Sequence, residues 1–270
     1  MRKAKKSVPK RGVVKKKKIS KENDKKEIKS QKSTKRESSE SSQVFGKRQS
    51  PIDIVSKNVK IDAKLRKNGG LRIDAKNCHF NLSITECGWR ADVDEGTSVA
   101  LLAPHLIGDF SLEQFHAHWS SDSKCGSEHT VDGKSFAAEL HFVFWATKYE
   151  SFAEAAQQSD GLAVVGVFIE ESNKSIPKLF ANSIQEAREA GKPIAFSLDL
   201  GKLLPSRSTF CTYPGSLTTC PYSESVTWNL FKEAIRISKQ ELGIWRQISP
   251  SNYRECQKMN GRKVLSSEKF

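Results

Sequence analysis

Two stretches hold the residue types that could do chemistry together. Residues 114–119 read QFHAHW, and residues 135–145 read SFAAELHFVFW. On a strand, residues i and i+2 share a face and lie roughly 6.5 Å apart. His116 and His118 can therefore converge on one metal ion, whose Zn–N bonds are about 2.0–2.1 Å. The same alternation puts Gln114 on the histidine face and Glu113, Phe115, Ala117 and Trp119 on the other. In the second stretch Glu139 and His141 are polar residues inside an apolar run. Buried polar groups need partners. Glu139 is expected to accept a hydrogen bond from one ring nitrogen of His141, leaving the other nitrogen to bind something. Gln114 can hold His116 in the same way. Three histidines on adjacent strands suggest a His₃ zinc site with an open fourth position, which is catalytic in type. Core or surface histidines are the plainer alternative, and a lone histidine would favour it.

These residues need strands to position them. Strand-like runs cover Leu71–Asp74, Phe80–Thr85, Ser98–Leu102, Phe110–Trp119, Phe136–Trp145 and Leu162–Ile169, with turn signals at Asn68-Gly69-Gly70 and Asp132-Gly133. Helical patterns are sparse: Ser151–Gln158, Ile176–Ala190 and Ser225–Leu242. Tyr213 to Pro221 (YPGSLTTCP) reads as a loop because of its Pro and Gly. The expected fold class is α+β and β-dominated, with an extensive, largely antiparallel sheet in a single domain.

Charge divides the chain in two. Of its 45 Lys/Arg and 31 Asp/Glu, residues 1–44 hold 17 and 5, which leaves a nearly neutral 28 against 26. Residues 1–44 are rich in Lys, Ser and Glu and are expected to be a disordered basic tail. Residues 45–270 are expected to form the catalytic domain. Lys15–Lys18, after Pro9-Lys10-Arg11, has the composition of nuclear-import or polyanion-binding clusters. A solvated, solubilising tail is the plainer reading, and without aromatics for stacking the tail gives nucleic-acid binding little support as the main function. The basic N-terminus lacks an apolar signal core, and no apolar run is long enough to span a membrane. Six cysteines without CxxC spacing are expected to be reduced thiols. The expected compartment is the cytoplasm, with the nucleus left open by the tail.

Taken together, the motifs resemble those of the α-class carbonic anhydrases. They are RQSPIDI (48–54), QFHAHW (114–119), GSEHTVDG (126–133), AAELHFVFW (137–145), GLAVVGVF (161–168), YPGSLTTCP (213–221) and SVTW (225–228), with weaker matches at SNYR (251–254) and NGR (260–262). They run in a consistent order over roughly residues 45–263. The resemblance implies a large, twisted, mostly antiparallel sheet with short peripheral helices. It implies Zn²⁺ held by His116, His118 and His141, with Gln114, Glu139 and the Asn252 backbone carbonyl as their partners. The implied reaction is reversible hydration of CO₂ to bicarbonate and a proton by zinc-bound hydroxide. Thr218 would accept a hydrogen bond from that hydroxide and donate its own proton to Glu128. Thr219 would line the substrate site, and Val143, Val164, Leu217, Val226 and Trp228 would form the apolar wall that receives CO₂. His129 and Tyr213 look like a structural hydrogen-bonding pair. A monomer is expected.

The chain departs from the family pattern at the proton shuttle. Aligned without a gap, Cys78 takes the shuttle position and His79 the next one; a shift of one residue would restore His79 as shuttle. Cys220 replaces the first residue of a common Pro-Pro pair, and the resemblance implies a cis bond at Cys220–Pro221. The alternative function is a catalytically weak or silent carbonic-anhydrase-related binding protein. Such relatives typically lose one or more zinc histidines, whereas all three stand here beside Glu128 and Thr218.

Overall fold

Alternating apolar residues put the core of this fold into strands. The computed structural model describes residues 46–76, 78–174, 178–207 and 209–270. The basic tail, Asn77 of the shuttle-like stretch and Ile176 at the expected helix start lie outside them. The strands, in chain order, are β1 (Asp53–Ile54), β2 (Lys60–Ile61), β3 (Arg72–Lys76), β4 (His79–Thr85), β5 (Gly88–Val93), β6 (Ser98–Leu102), β7 (Phe110–Trp119), β8 (Thr130–Val131), β9 (Ala138–Ala146), β10 (Leu162–Ser172), β11 (Ile194–Ser197), β12 (Phe210–Gly215), β13 (Val226–Phe231), β14 (Ile235–Ser238) and β15 (Leu265–Ser266). The α-helices are α1 (Phe152–Ala155), α2 (Ala181–Ala190) and α3 (Lys239–Arg246).

Thirteen strands form one sheet, whose main path runs β11-β4-β5-β7-β9-β10-β13-β12-β15-β2. Most pairs are antiparallel; β10 with β13, β10 with β14 and β15 with β2 are parallel. β7 and β9 therefore sit side by side, with His116 directly opposite His141 and His118 opposite Glu139.

One face of the sheet carries the main core. Phe115 meets Phe80 edge-on at 5.1 Å, stacks on Phe142 at 5.5 Å and meets Trp89 at 5.8 Å. Trp89 in turn packs on Phe180 and Trp245, so α2 and α3 cover this face. Truncating a buried Phe of this kind costs about 3–5 kcal/mol. This packing fixes one face of β5, β7 and β9 and leaves their opposite face to the polar residues.

Three sequence expectations change. Residues 225–242 are not one helix: β13 and β14 take the first part, and only Lys239 onward is helical. Val226, Trp228 and Leu230 alternate with Thr227 and Asn229, and this period of two fills the slot beside β10. The helix starts where Ser238 caps it, its hydroxyl accepting from Glu241 N–H at 3.1 Å. Tyr213-Pro214-Gly215 belongs to β12 rather than to the loop. β15 covers only Cys211 and Thr212, so β12 has a free edge where Pro214 needs one. The third change is a bulge in β7 between Leu112 and Gln114. Phe110 and Leu112 face the main core before it, and Phe115, Ala117 and Trp119 face it after. The switch from even to odd positions puts Glu113 on the histidine face, contrary to simple alternation.

Candidate metal centre

The three imidazoles meet on the polar face of β7 and β9. Ring centroids are 5.0 Å apart for His116–His118, 5.3 Å for His116–His141 and 4.7 Å for His118–His141. Each ring has one nitrogen tied down. His116 Nδ1 donates to Gln114 Oε1 at 2.8 Å, and His118 Nδ1 donates to the Asn252 carbonyl at 2.8 Å. His141 Nε2 donates to Glu139 Oε1 at 2.8 Å. The nitrogens left over are His116 Nε2, His118 Nε2 and His141 Nδ1. All three carry lone pairs and no proton.

This arrangement supplies a test of fit for a cation. His116 Nε2 and His118 Nε2 lie 3.1 Å apart, and neither has a proton to give the other. Two bare lone pairs at that distance repel. Two nitrogens on one tetrahedral zinc would be about 3.3–3.4 Å apart, given bonds of about 2.0–2.1 Å. The donor set therefore suits a tetrahedral zinc with one position free. The ring pKa values agree. Burial lowers His116, His118 and His141 below the ordinary histidine value, with neighbouring histidines adding to it, so the rings are neutral and able to ligate at neutral pH.

Glu139 is fully buried and serves two rings. Its Oε1 also accepts from His129 Nδ1 at 2.7 Å, and its Oε2 accepts from the His129 backbone N–H at 2.8 Å. Burial alone would raise its pKa, but His129 and His141 outweigh that and hold it well below the carboxylate range. Glu139 is thus an anion at neutral pH. Gly166, opposite His141, makes room for it: a Cβ there would stand 3.2 Å from Glu139 Oε1. His129 has no nitrogen to spare, because its Nε2 accepts from Tyr213 OH at 2.6 Å. The phenol oxygen in turn is 2.9 Å from Ser50 Oγ. Hence His129, Glu139 and His141, although clustered, form a hydrogen-bonded chain rather than a second ligand set.

Glu128 lies beside the cluster, 3.4 Å from His118 Nδ1. Its Oε1 accepts from Arg254 N–H at 2.8 Å. Burial raises its pKa to about 7, and His141, Thr218 and Arg254 offset only part of that. The Thr218 hydroxyl faces this carboxyl, yet among the described residues Oε2 has no hydrogen bond of good geometry. Thr218 is buried and Thr219 exposed, at the start of the turn that holds the cis Cys220–Pro221 bond. Val143, Val164, Val226 and Trp228 are buried in the smaller apolar cluster, with Leu217 packed against it. The Trp228 ring lies 4.7 Å from His141, so this wall abuts the imidazoles.

His79 is not brought into the cluster. It lies on β4, and β5 separates β4 from β7. The register runs from His116 to Arg90 to Ser83, and His79 is four residues further along, about 16 Å away between Cα atoms. Its Nδ1 instead meets Ser197 Oγ at 2.8 Å. Sequence reasoning also missed the groups that close the site from afar: Ser50, Arg254 and Arg262. Their only signal was membership of short motifs: RQSPIDI for Ser50, and the weaker SNYR and NGR for Arg254 and Arg262.

A family profile for eukaryotic-type carbonic anhydrase matches residues 31–268. The chain belongs to that family. Carbonic anhydrase 7 of Homo sapiens is 41% identical over 240 residues, covering 82% of this chain and 89% of the relative. Carbonic anhydrase 7 of Mus musculus is 40% identical over the same length and coverage. Carbonic anhydrase 1 of Monodelphis domestica is 35% identical over 244 residues, covering 83% and 90%. The sheet-dominated fold fits the α class of carbonic anhydrases, enzymes that hydrate carbon dioxide. Among the described residues, no helix is long and apolar enough to cross a membrane.

Proposed function

We propose that this chain catalyses the reversible hydration of CO₂ with a zinc ion held by His116 Nε2, His118 Nε2 and His141 Nδ1. The observation that carries the reading is the 3.1 Å approach of two proton-free nitrogens, each locked by a bond from its other ring nitrogen. Zinc supplies a hydroxide nucleophile at neutral pH by lowering the pKa of bound water, a property for which carbonic anhydrase is itself the standard example.

The protein's own groups do the rest. Gln114, Asn252 and Glu139 fix the tautomer and direction of each imidazole. A carboxylate can only accept, so the Thr218 hydroxyl must donate to Glu128 once Glu128 is ionised. The Thr218 oxygen is then left to accept from the attacking oxygen and to aim its lone pair. Val143, Val164, Leu217, Val226 and Trp228 offer CO₂ an apolar surface with few polar groups. Bicarbonate is a poor fit for that surface, which favours its departure, and the exposed Thr219 lies on its way out.

Stopped-flow CO₂ hydration on protein of verified zinc content tests the reading. Fast hydration is expected. Stoichiometric zinc without hydration would favour a binding role for the site instead. His118→Ala should lose both metal and activity, and full zinc retention in that variant would refute the ligand assignment.

A further inference from the structure

Hydration of CO₂ releases one proton per turnover, and that proton must reach solvent. His79 lies too far from the imidazoles to take it directly. The bulge in β7 brings another group closer. Glu113 and Gln114 both lie on the histidine face, on the side opposite Phe115 and the main core. On the adjacent β5, Trp89 and Ala91 point into the core, so Arg90 and Asp92 share the face of Glu113. The register places Arg90 opposite His116 and Asp92 opposite Gln114. This is the open side of the cluster: His116 is only half-buried whereas His118 and His141 are buried, and Arg90 is exposed.

Glu113 is half-buried there. Arg90 and Asp92 pair with each other, Arg90 Nε donating to Asp92 Oδ1 at 2.7 Å. The guanidinium is therefore already engaged and leaves Glu113 without full neutralisation. Burial raises the Glu113 carboxyl above its ordinary value, Arg90 lowers it and Asp92 raises it again. On β9, at the level of Gln114, the facing residue is the apolar Val143, and the neutral His141 and the anionic Glu139 lie further along. A half-buried carboxyl on the open side of the imidazoles, still in reach of solvent, can both take and release a proton.

We propose that Glu113 is the proton-relay group of this active site. It rests on the proposed function. In each cycle an O–H bond of the attacking water breaks, and solvent carries the proton to the Glu113 carboxylate. The resulting carboxylic acid then gives the same proton to a buffer base outside, which restores the carboxylate. The new C–O bond to CO₂ forms in the hydration step itself, and the relay moves only the proton, with no change of oxidation state.

Glu113→Gln separates this role from a structural one. At low buffer, kcat should fall about tenfold or more, whereas kcat/KM for CO₂ should stay within about twofold, because hydration itself precedes the relay. Added imidazole buffer should restore kcat in Glu113→Gln, and Glu113→His should retain it. A second readout needs no turnover. In the metal-free protein, a ¹³C carboxyl resonance that vanishes in Glu113→Gln should titrate above the ordinary glutamate value of about 4.3. An unchanged kcat at low buffer, a parallel fall in kcat and kcat/KM, or titration at or below the ordinary value overturns the relay. A wild-type protein that hydrates no CO₂ would sink the proposed function as well, whereas normal wild-type kcat/KM with a buffer-independent Glu113→Gln sinks the relay alone.

Discussion

Each imidazole of the centre gives up one nitrogen so that the other is aimed. The three anchors differ in kind: an amide oxygen, a main-chain carbonyl and a buried anion. The anion is the one whose loss should be felt most beyond its own ring, because Glu139 also holds the His129–Tyr213–Ser50 chain. Glu139→Gln should weaken zinc affinity about 10–100-fold, as removal of such supporting groups does. Chelator competition would measure it; unchanged affinity would mean that His141 is held by packing against Trp228 alone.

At the scale of elements, α3 packs Trp245 on the sheet and adds a polar tie through Arg246. Arg246 Nη1 donates to Glu171 Oε2 at 2.7 Å, Nη2 to Ser123 Oγ at 2.9 Å and Nε to the Ser120 carbonyl at 2.8 Å. The helix end is thereby fixed to the end of β10 and to the turn after β7. Burial pushes the Glu171 carboxyl up, but Ser123 and Arg246 outweigh it and leave the group below its ordinary value. A depressed folded-state pKa adds stability above the unfolded value of about 4.3, and that stability is lost as pH falls through the folded value. Glu171→Gln should therefore cost about 1–2 kcal/mol near neutral pH. Its stability deficit should shrink as pH falls below the unfolded value of about 4.3 and on through the lower folded value. A deficit that stays constant over that range would show that the pair's charge contributes nothing.

Across the whole molecule, segments far apart in sequence close the site from behind. Arg254 Nη1 donates to the Ser50 carbonyl at 2.7 Å and to Gln49 Oε1 at 3.0 Å. Arg262 donates to the Gln49 carbonyl at 2.7 Å and to the Pro214 carbonyl at 3.1 Å, and its guanidinium lies over the Tyr213 ring. These two arginines bind Gln49 and Ser50 to the segment after α3, and Ser50 is also the end of the hydrogen-bonded chain that reaches Glu139. Arg262→Ala should destabilise the fold by about 2–3 kcal/mol in denaturant titration, since it removes several charge-assisted bonds at once. It touches none of the three imidazoles, so metal content should be retained; its loss would show that the closure also shapes the centre.

Much of the centre was legible in the chain itself. The i, i+2 spacing of His116 and His118, and of Glu139 and His141, follows from the pleat of a strand, which puts alternate residues on one face whatever surrounds it. The motif order likewise carried the family, and through it the apolar wall that composition alone would have assigned to the core. Long-range pairing was not legible. The neighbour of β7 on its far side is β5, and no local pattern places Arg90 rather than a β4 residue beside His116. The Ser225–Leu242 run has apolar residues compatible with both periods, and only the vacancy beside β10 decides for strands. The bulge at Glu113 is the clearest case. A one-residue slip reverses the faces of a strand, and it is set by how β7 must keep both Leu112 and Phe115 in the same core. Residue types thus determined which groups could bind a metal, and the tertiary packing decided which charged groups stand around it.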